Sequence, residues 1–165
     1  MANSSFDIVS DYDKAEMNNV LDQAQREISS RYDFKGTPAE IDWIDGDKNG
    51  FKVTGNGEWQ IEAILEIVRK KLSIRGQSQK VLDTSKDVVE SNLKSTQEIP
   101  FKKGLDQEKA KKITALIREK YPKVKTQIQG DEVRATSASR DDLQAVIQIL
   151  RESDFDFPIN FTNYR

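Results

Sequence analysis

The sequence predicts an α+β fold of two similar halves, on three observations. Some stretches alternate apolar and polar residues at period two, others space their apolar residues as one face of a helix, and the same succession of stretches occurs twice. Each half reads strand, helix, strand, strand, helix, strand. That βαββαβ order describes a ferredoxin-like sandwich, in which two helices cover one face of an antiparallel sheet. The second helix begins near Glu58 in one half and Ser139 in the other, so the repeat is about 80 residues.

In the first half, Phe6, Ile8 and Ser10 alternate with Asp7 and Val9, which predicts a half-buried strand. Asp13 and Glu16 then form a D-x-x-E cap, and Met17, Val20, Leu21, Ala24 and Ile28 line one face of the helix that follows. Ala39, Ile41 and Trp43 repeat at period two, DGDKNG at 45–50 turns the chain, and Phe51 with Val53 returns it as a hairpin. After Gly55-Asn56-Gly57 comes a second helix with Ile61, Ile64, Leu65, Val68 and Leu72 inward, stopped by Gly76. Residues 80–84 predict a short closing strand. The polar stretch 85–97 reads as a connection, which gives domains of 1–84 and 98–165.

In the second half, 98–103 predicts a strand with Ile99 and Phe101 inward, and Pro100 marks it as an edge or irregular one. Asp106 caps a helix carrying Ala110, Ile113, Leu116, Ile117 and Tyr121, and Pro122 ends it. The next strand places Val124, Thr126 and Ile128 on one side and Lys123, Lys125, Gln127 and Gln129 on the other. Gly130-Asp131 makes a two-residue turn, and the return strand buries Val133 and Ala135 while exposing Arg134 and Thr136. Ser139, with Asp142 three residues on, caps a helix with Leu143, Val146, Ile147 and Leu150 inward. Residues 158–165 close the half, with Ile159 and Phe161 inward.

Composition narrows the function. The 26 basic and 28 acidic residues nearly cancel, to a net charge of -2, so affinity for a polyanion has to come from a local patch. The chain has no cysteine and no histidine, which removes disulfides, thiolate nucleophiles, zinc sites built on these residues and the commonest general base at neutral pH. A non-enzymatic protein without a cofactor is expected. No apolar run reaches the roughly 20 residues that span a bilayer, and MANSSFDIVSDYD lacks the regions of a signal peptide. The expected location is therefore the cytoplasm, without a membrane partner.

The exposed sheet face of the second half would present Lys123, Lys125, Gln127, Gln129, Arg134, Asn160, Thr162 and Tyr164. Cations there can neutralise phosphates, and amides can bond base edges. With Arg140 at the start of the following helix, the candidate nucleotide-binding set is Lys123, Lys125, Gln127, Gln129, Arg134, Arg140 and Tyr164. The plainer account is that an exposed antiparallel face is ordinarily polar. An RNA-recognition module stacks bases on aromatics of its central strands, and Tyr164 alone offers a ring here. Other features read structurally. Gly55-x-Gly57 and 45–50 are turns, Asp141-Asp142 suits a helix N-terminus, and Trp43 and Trp59 pack against apolar neighbours.

Five segments in order carry a resemblance: SFDIVS at 5–10, GLDQEKAKKI at 104–113, KVKTQIQGDEVR at 123–134, SRDDLQAVI at 139–147 and FPINFTNYR at 157–165. Together they resemble the bacterial YajQ family of nucleotide-binding proteins across nearly the whole chain. The resemblance implies two tandem domains with the topology of RNA-recognition modules and exchanged N-terminal strands. Residues 5–10 would join the sheet of Ile128 and Val133, and 98–103 that of Ile41 and Val53. It also implies binding of a nucleotide or cyclic dinucleotide. Cyclic-di-GMP effector activity is attributed to some members and nucleic-acid binding to others. Ala135 and Ala138 depart from the family pattern, which has a β-branched and a basic residue there. Three functions stay open: an effector of a guanine nucleotide such as cyclic-di-GMP, a weak binder of transfer or ribosomal RNA, and a protein-interaction module without a ligand.

Overall fold

The computed structural model describes residues 3–165, and eight strands and four α-helices run through them. They are β1 (Ser4–Val9), α1 (Lys14–Ser30), β2 (Glu40–Trp43), β3 (Gly50–Gly55), α2 (Glu58–Ile74), β4 (Val89–Ser91) and β5 (Lys94–Pro100). Then follow α3 (Gln107–Lys120), β6 (Lys125–Gln129), β7 (Glu132–Ser137), α4 (Arg140–Glu152) and β8 (Asn160–Thr162). The strands form two four-stranded antiparallel sheets, ordered β6-β7-β1-β8 and β2-β3-β5-β4. This is the expected fold of two ferredoxin-like sandwiches.

The chain divides into two compact units. One, the split unit, combines residues up to Asp11 with Lys103–Arg165; the other, the continuous unit, is Tyr12–Lys102. In the split unit β1 is a central strand, paired with β7 on one side and β8 on the other. Phe6 and Ile8 point from it into a core that includes Ile113 and Ile117 of α3, Val133 and Ala135 of β7, and Val146 and Leu150 of α4. In the continuous unit β5 takes the equivalent central place between β3 and β4. Its Ile99 joins Ile41, Val53, Val20, Ala24, Ile64 and Val68 in a separate core.

Local chemistry sets the element ends. The Asp13 carboxylate accepts hydrogen bonds from the backbone N–H of Ala15 (2.9 Å) and Glu16 (3.3 Å) at the start of α1. Asp106 accepts from Lys109 N–H (2.8 Å) at α3, and the Ser139 hydroxyl from Asp142 N–H (3.2 Å) at α4. Each satisfies a helix donor that has no partner within the helix. Gly130 has φ 60° in the β6–β7 turn, the geometry of a type II′ hairpin. Gly50 is fixed by close approach, since a Cβ there would stand 2.5 Å from the Ile99 carbonyl oxygen.

Three expectations are corrected. Residues 80–84 do not form a strand: Gln79–Val81 is a 3-10 turn, followed by a single bridge between Leu82 and Phe101. The strand expected at 98–103 runs instead from Lys94 to Pro100, so Pro100, which lacks an N–H, stands at its end. The stretch 85–97, read as a connection, contains the β4–β5 hairpin. Its inward positions include polar Ser95 and Gln97, which hide the alternation. Gln97 can be buried because its amide donates to the carbonyls of Thr84 (3.4 Å) and Lys86 (2.9 Å). No helix among the described residues is long and apolar enough to cross a membrane.

Two stability changes follow from these features. Asn92 (φ 52°) and Leu93 (φ 65°) form the two-residue β4–β5 turn, and Leu93 is 98% exposed. Leu93→Gly removes a left-handed penalty of about 1–2 kcal/mol without losing packing, offset in part by glycine's greater freedom in the unfolded chain. A net gain of about 1 kcal/mol in urea unfolding is expected. Ile113→Ala, in the core of the split unit, should cost about 2–5 kcal/mol in the same measurement.

Candidate functional site

Side chains facing away from the helices give the split unit an open sheet face, arranged in rows by the strand register. Gln127, Arg134, Asp7 and Thr162 stand side by side across all four strands, with Lys125, Thr136 and Ser5 in the adjacent row. Lys125, Gln127 and Thr162 are exposed, Gln129 is half-buried, and Lys123 sits in the turn before β6. The face is less basic than its sequence suggests. Arg134 Nε donates to Asp7 Oδ1 at 2.9 Å, which commits its charge to the partner strand.

Asp7 is 2% exposed although it lies on this open face, because its neighbours cover it. Oδ2 accepts from Asn163 Nδ2 at 2.8 Å, completing a network of Arg134, Asp7 and Asn163 across three neighbouring chain segments. The hydrogen bond from Arg134 holds the Asp7 carboxyl below the usual carboxylate range, against the opposing effect of burial, with Asn163 adding to the lowering.

Tyr164 does not lie on the open face. Asp7 pairs with Thr162, but the next hydrogen-bonded pair joins Ser5 to Arg165, through Ser5 N–H (3.2 Å) and Arg165 N–H (2.9 Å). Asn163 and Tyr164 therefore stand opposite the single residue Phe6. Asn163 has φ 56°, and this bulge turns Tyr164 to the helix side, with its ring 6.1 Å from that of Phe6.

Tyr164 there lines a recess of about 270 Å³ together with Ser4, Ser5, Phe6 and Arg165 and with Arg140, Leu143, Gln144 and Ile147 of α4. Of the candidate residues, Arg140 and Tyr164 are thus brought together, while Lys123, Lys125, Gln127, Gln129 and Arg134 lie elsewhere. Arg140 is exposed, makes no ion pair among the described residues and donates from Nε to Ser4 Oγ at 3.3 Å. Tyr164 is 60% exposed. The recess offers a cation, a ring and the Gln144 amide over an apolar floor. Phe6 and Gln144 escaped the sequence reading because they belong to a core strand and a helix, and only the bulge brings the ring to them.

The remaining motifs are structural, with one exception. Asp45 Oδ1 accepts from Asn49 N–H (3.1 Å) within its turn, and no group of three metal-ligating side chains occurs among the described residues. Asp141 and Asp142 occupy the first turn of α4, where the helix dipole favours acidic groups. Trp43 is half-buried against Phe51, at 5.4 Å between ring centres. Trp59, expected to pack, is 61% exposed at the start of α2. Ala135 is buried in the split-unit core and Ala138 is exposed just before the α4 cap.

The comparisons with known proteins agree along the whole length. The family model described as "Nucleotide-binding protein YajQ-like" matches residues 4–165. A protein named "Nucleotide-binding protein" from a Nocardioides species is 47% identical over 166 residues, covering 100% of both chains. One of the same name from Streptomyces griseus is 48% identical over 169 residues, again with 100% of both covered. A third, from Trichodesmium erythraeum, is 41% identical over 162 residues and 98% of each chain.

The Asp7 network makes stability depend on pH with a defined sign. A carboxyl with a lower pKa folded than unfolded stabilises fully above the ordinary range, about pH 4, and less as pH falls through the folded value. Asp7→Asn should destabilise by roughly 1–3 kcal/mol at pH 7. Urea unfolding at pH 7 and pH 3 should show the difference from wild type shrinking at the lower pH.

Proposed function

The chain belongs to the YajQ-like family of nucleotide-binding proteins, and we propose that it binds a guanine nucleotide in the recess of the split unit, as a non-catalytic effector. The observation that carries this reading is the meeting of Arg140, Tyr164 and Gln144 over Phe6, Leu143 and Ile147 in one recess. These are the groups a nucleotide needs. A guanidinium can bond guanine O6 and N7 together, a ring can stack on the base, and an amide can bond its edge. No Asp or Glu side chain is among those lining the recess, in keeping with binding by a cation, a ring and an amide.

Size refines the ligand. Sites for drug-sized ligands run from about 300 to 1,000 Å³, and the recess of about 270 Å³ falls just below that range. It suits one guanosine unit. A cyclic dinucleotide such as cyclic-di-GMP would place one half inside and leave the other against the rim. RNA binding on the sheet face has less support, because Arg134 is engaged by Asp7 and Tyr164 is on the opposite side.

Isothermal titration with GTP, cyclic-di-GMP and ATP tests the proposal. Saturable binding of a guanine nucleotide is expected. Tyr164→Ala should weaken it roughly tenfold, in line with the loss of one base stack, and Arg140→Ala by at least a similar factor. Lys123→Ala/Lys125→Ala should leave it unchanged. Absence of saturable binding, or binding indifferent to Arg140 and Tyr164, would refute the assignment of the site.

A further inference from the structure

We propose that Asp7 and Asn163 are positioning residues for the recess, acting from the opposite face of the sheet by fixing the register of the segment that carries Tyr164. The inference rests on the nucleotide-site reading above. Neither residue lines the recess. Their effect comes through the backbone.

The geometry is a register device. β8 pairs with β1 as Ile8 with Phe161 and Asp7 with Thr162, and a regular continuation would set Asn163 beside Phe6 and Tyr164 beside Ser5. In that register Tyr164 would share the open face with Ser5, since a one-residue slip moves every later side chain to the other face. The observed pairing of Ser5 with Arg165 inserts one extra residue in the tail strand, and the bulge is made by Asn163 at φ 56°. Asparagine tolerates this left-handed conformation better than most residues but does not impose it. What holds it is the 2.8 Å hydrogen bond from Nδ2 to the buried Asp7 carboxylate. Asp7 is itself fixed by Arg134, through contacts of 2.9 and 3.5 Å. A charged network on the open face thus selects the register that turns Tyr164 toward Phe6, Gln144 and Arg140.

The same device explains why the acceptor is a carboxylate. An ionised Asp7 is an acceptor at both oxygens: Oδ1 takes Arg134 Nε, and Oδ2 takes Asn163 Nδ2 at 2.8 Å and Arg134 Nη2 at 3.5 Å. An amide at position 7 puts an NH2 donor in place of one of these oxygens, facing the donor of Arg134 or of Asn163. Asp7→Asn should therefore leave the strand in place and loosen the tail.

The test uses the full chain with Asn163→Ala, Asn163→Gly, Asp7→Asn, Tyr164→Ala and the double variant Asn163→Ala/Tyr164→Ala. Two measurements are made: titration with GTP and cyclic-di-GMP, and amide hydrogen exchange at Ser5 and Arg165 without ligand. Asn163→Ala should lose protection at both amides and bind roughly tenfold more weakly, matching Tyr164→Ala. Asn163→Gly, which adopts positive φ freely, should lie closer to wild type than Asn163→Ala. The double variant should bind no worse than Tyr164→Ala, because Asn163 acts only through the ring. Asp7→Asn, which keeps the fold, should lose protection at Arg165 and weaken binding in step.

Unchanged protection in Asn163→Ala and Asp7→Asn would overturn the proposal. So would additive losses in the double variant, or wild-type affinity in Asn163→Ala despite lost protection. If wild type binds neither nucleotide, the nucleotide reading fails and the positioning role for binding fails with it. Exchange at Ser5 and Arg165 then still decides whether the network sets the register.

Discussion

A carboxylate in the central strand of a four-stranded sheet has to be partnered, and Asp7 is the constraint around which the split unit is arranged. An unpaired charge there would carry an uncompensated desolvation penalty. Arg134 supplies the partner from β7 on one side of β1, and Asn163 from the segment after β8 on the other. This ties strand order and register to one side chain. A slip of β7 by one residue would send Arg134 into the helix-facing core and leave Asp7 with half its partners. The network also explains why the open face is only weakly basic, since its most central cation is neutralised within the sheet.

The fold was largely legible because its signals are local and agree with one another. Asp13, Asp106 and Ser139 each cap the helix that their spacing from the first apolar residues indicates. Gly130 turns the hairpin that the alternation around Val133 requires. The β4–β5 hairpin was illegible for the opposite reason. Its inward positions include Ser95 and Gln97, and its turn is Asn92-Leu93 where a glycine would have announced it. The candidate site was legible as residue types but not as a place. Arg140 and Tyr164 could be named from the sequence, yet period-two alternation puts Tyr164 on the wrong face. Correcting it requires the φ of Asn163, which depends on a hydrogen bond to a residue far away in the chain. Phe6 and Gln144 carry no signal of their own, being unexceptional core and helix positions.

The two units share one strand order but differ at one corner. In the continuous unit the outer strand β4 and central strand β5 are consecutive, so the corner between them is closed by Asn92 and Leu93. In the split unit the corresponding strands are β8 and β1, which are not consecutive, and no turn closes that corner. There the pairing of Ser5 with Arg165 leaves room for the recess, lined by Arg140 and Tyr164. In the continuous unit, by contrast, a recess of about 410 Å³ is lined chiefly by the turn itself, with Asn56 the contributor from outside the hairpin. The difference in chemistry between the corners thus follows from connectivity before it follows from side chains.

That connectivity also sets an order of events during synthesis. β1 leaves the ribosome before the other described strands, and its partners β7 and β8 lie at 132–137 and 160–162. The chain of the continuous unit, by contrast, is complete at Lys102. Domains generally fold as units as they emerge, and long-range pairings are slow to form. β1 is therefore among the last of the described strands to be paired, and it has to wait unpaired while the intervening unit assembles. Phe6 and Ile8 are apolar edges throughout that interval. Asp7 between them is a charge without its partner until Arg134 arrives, and a charge in the middle of a waiting strand discourages pairing with the wrong edge. The residue that fixes the register of the finished sheet thus also guards its first strand while the sheet is still incomplete.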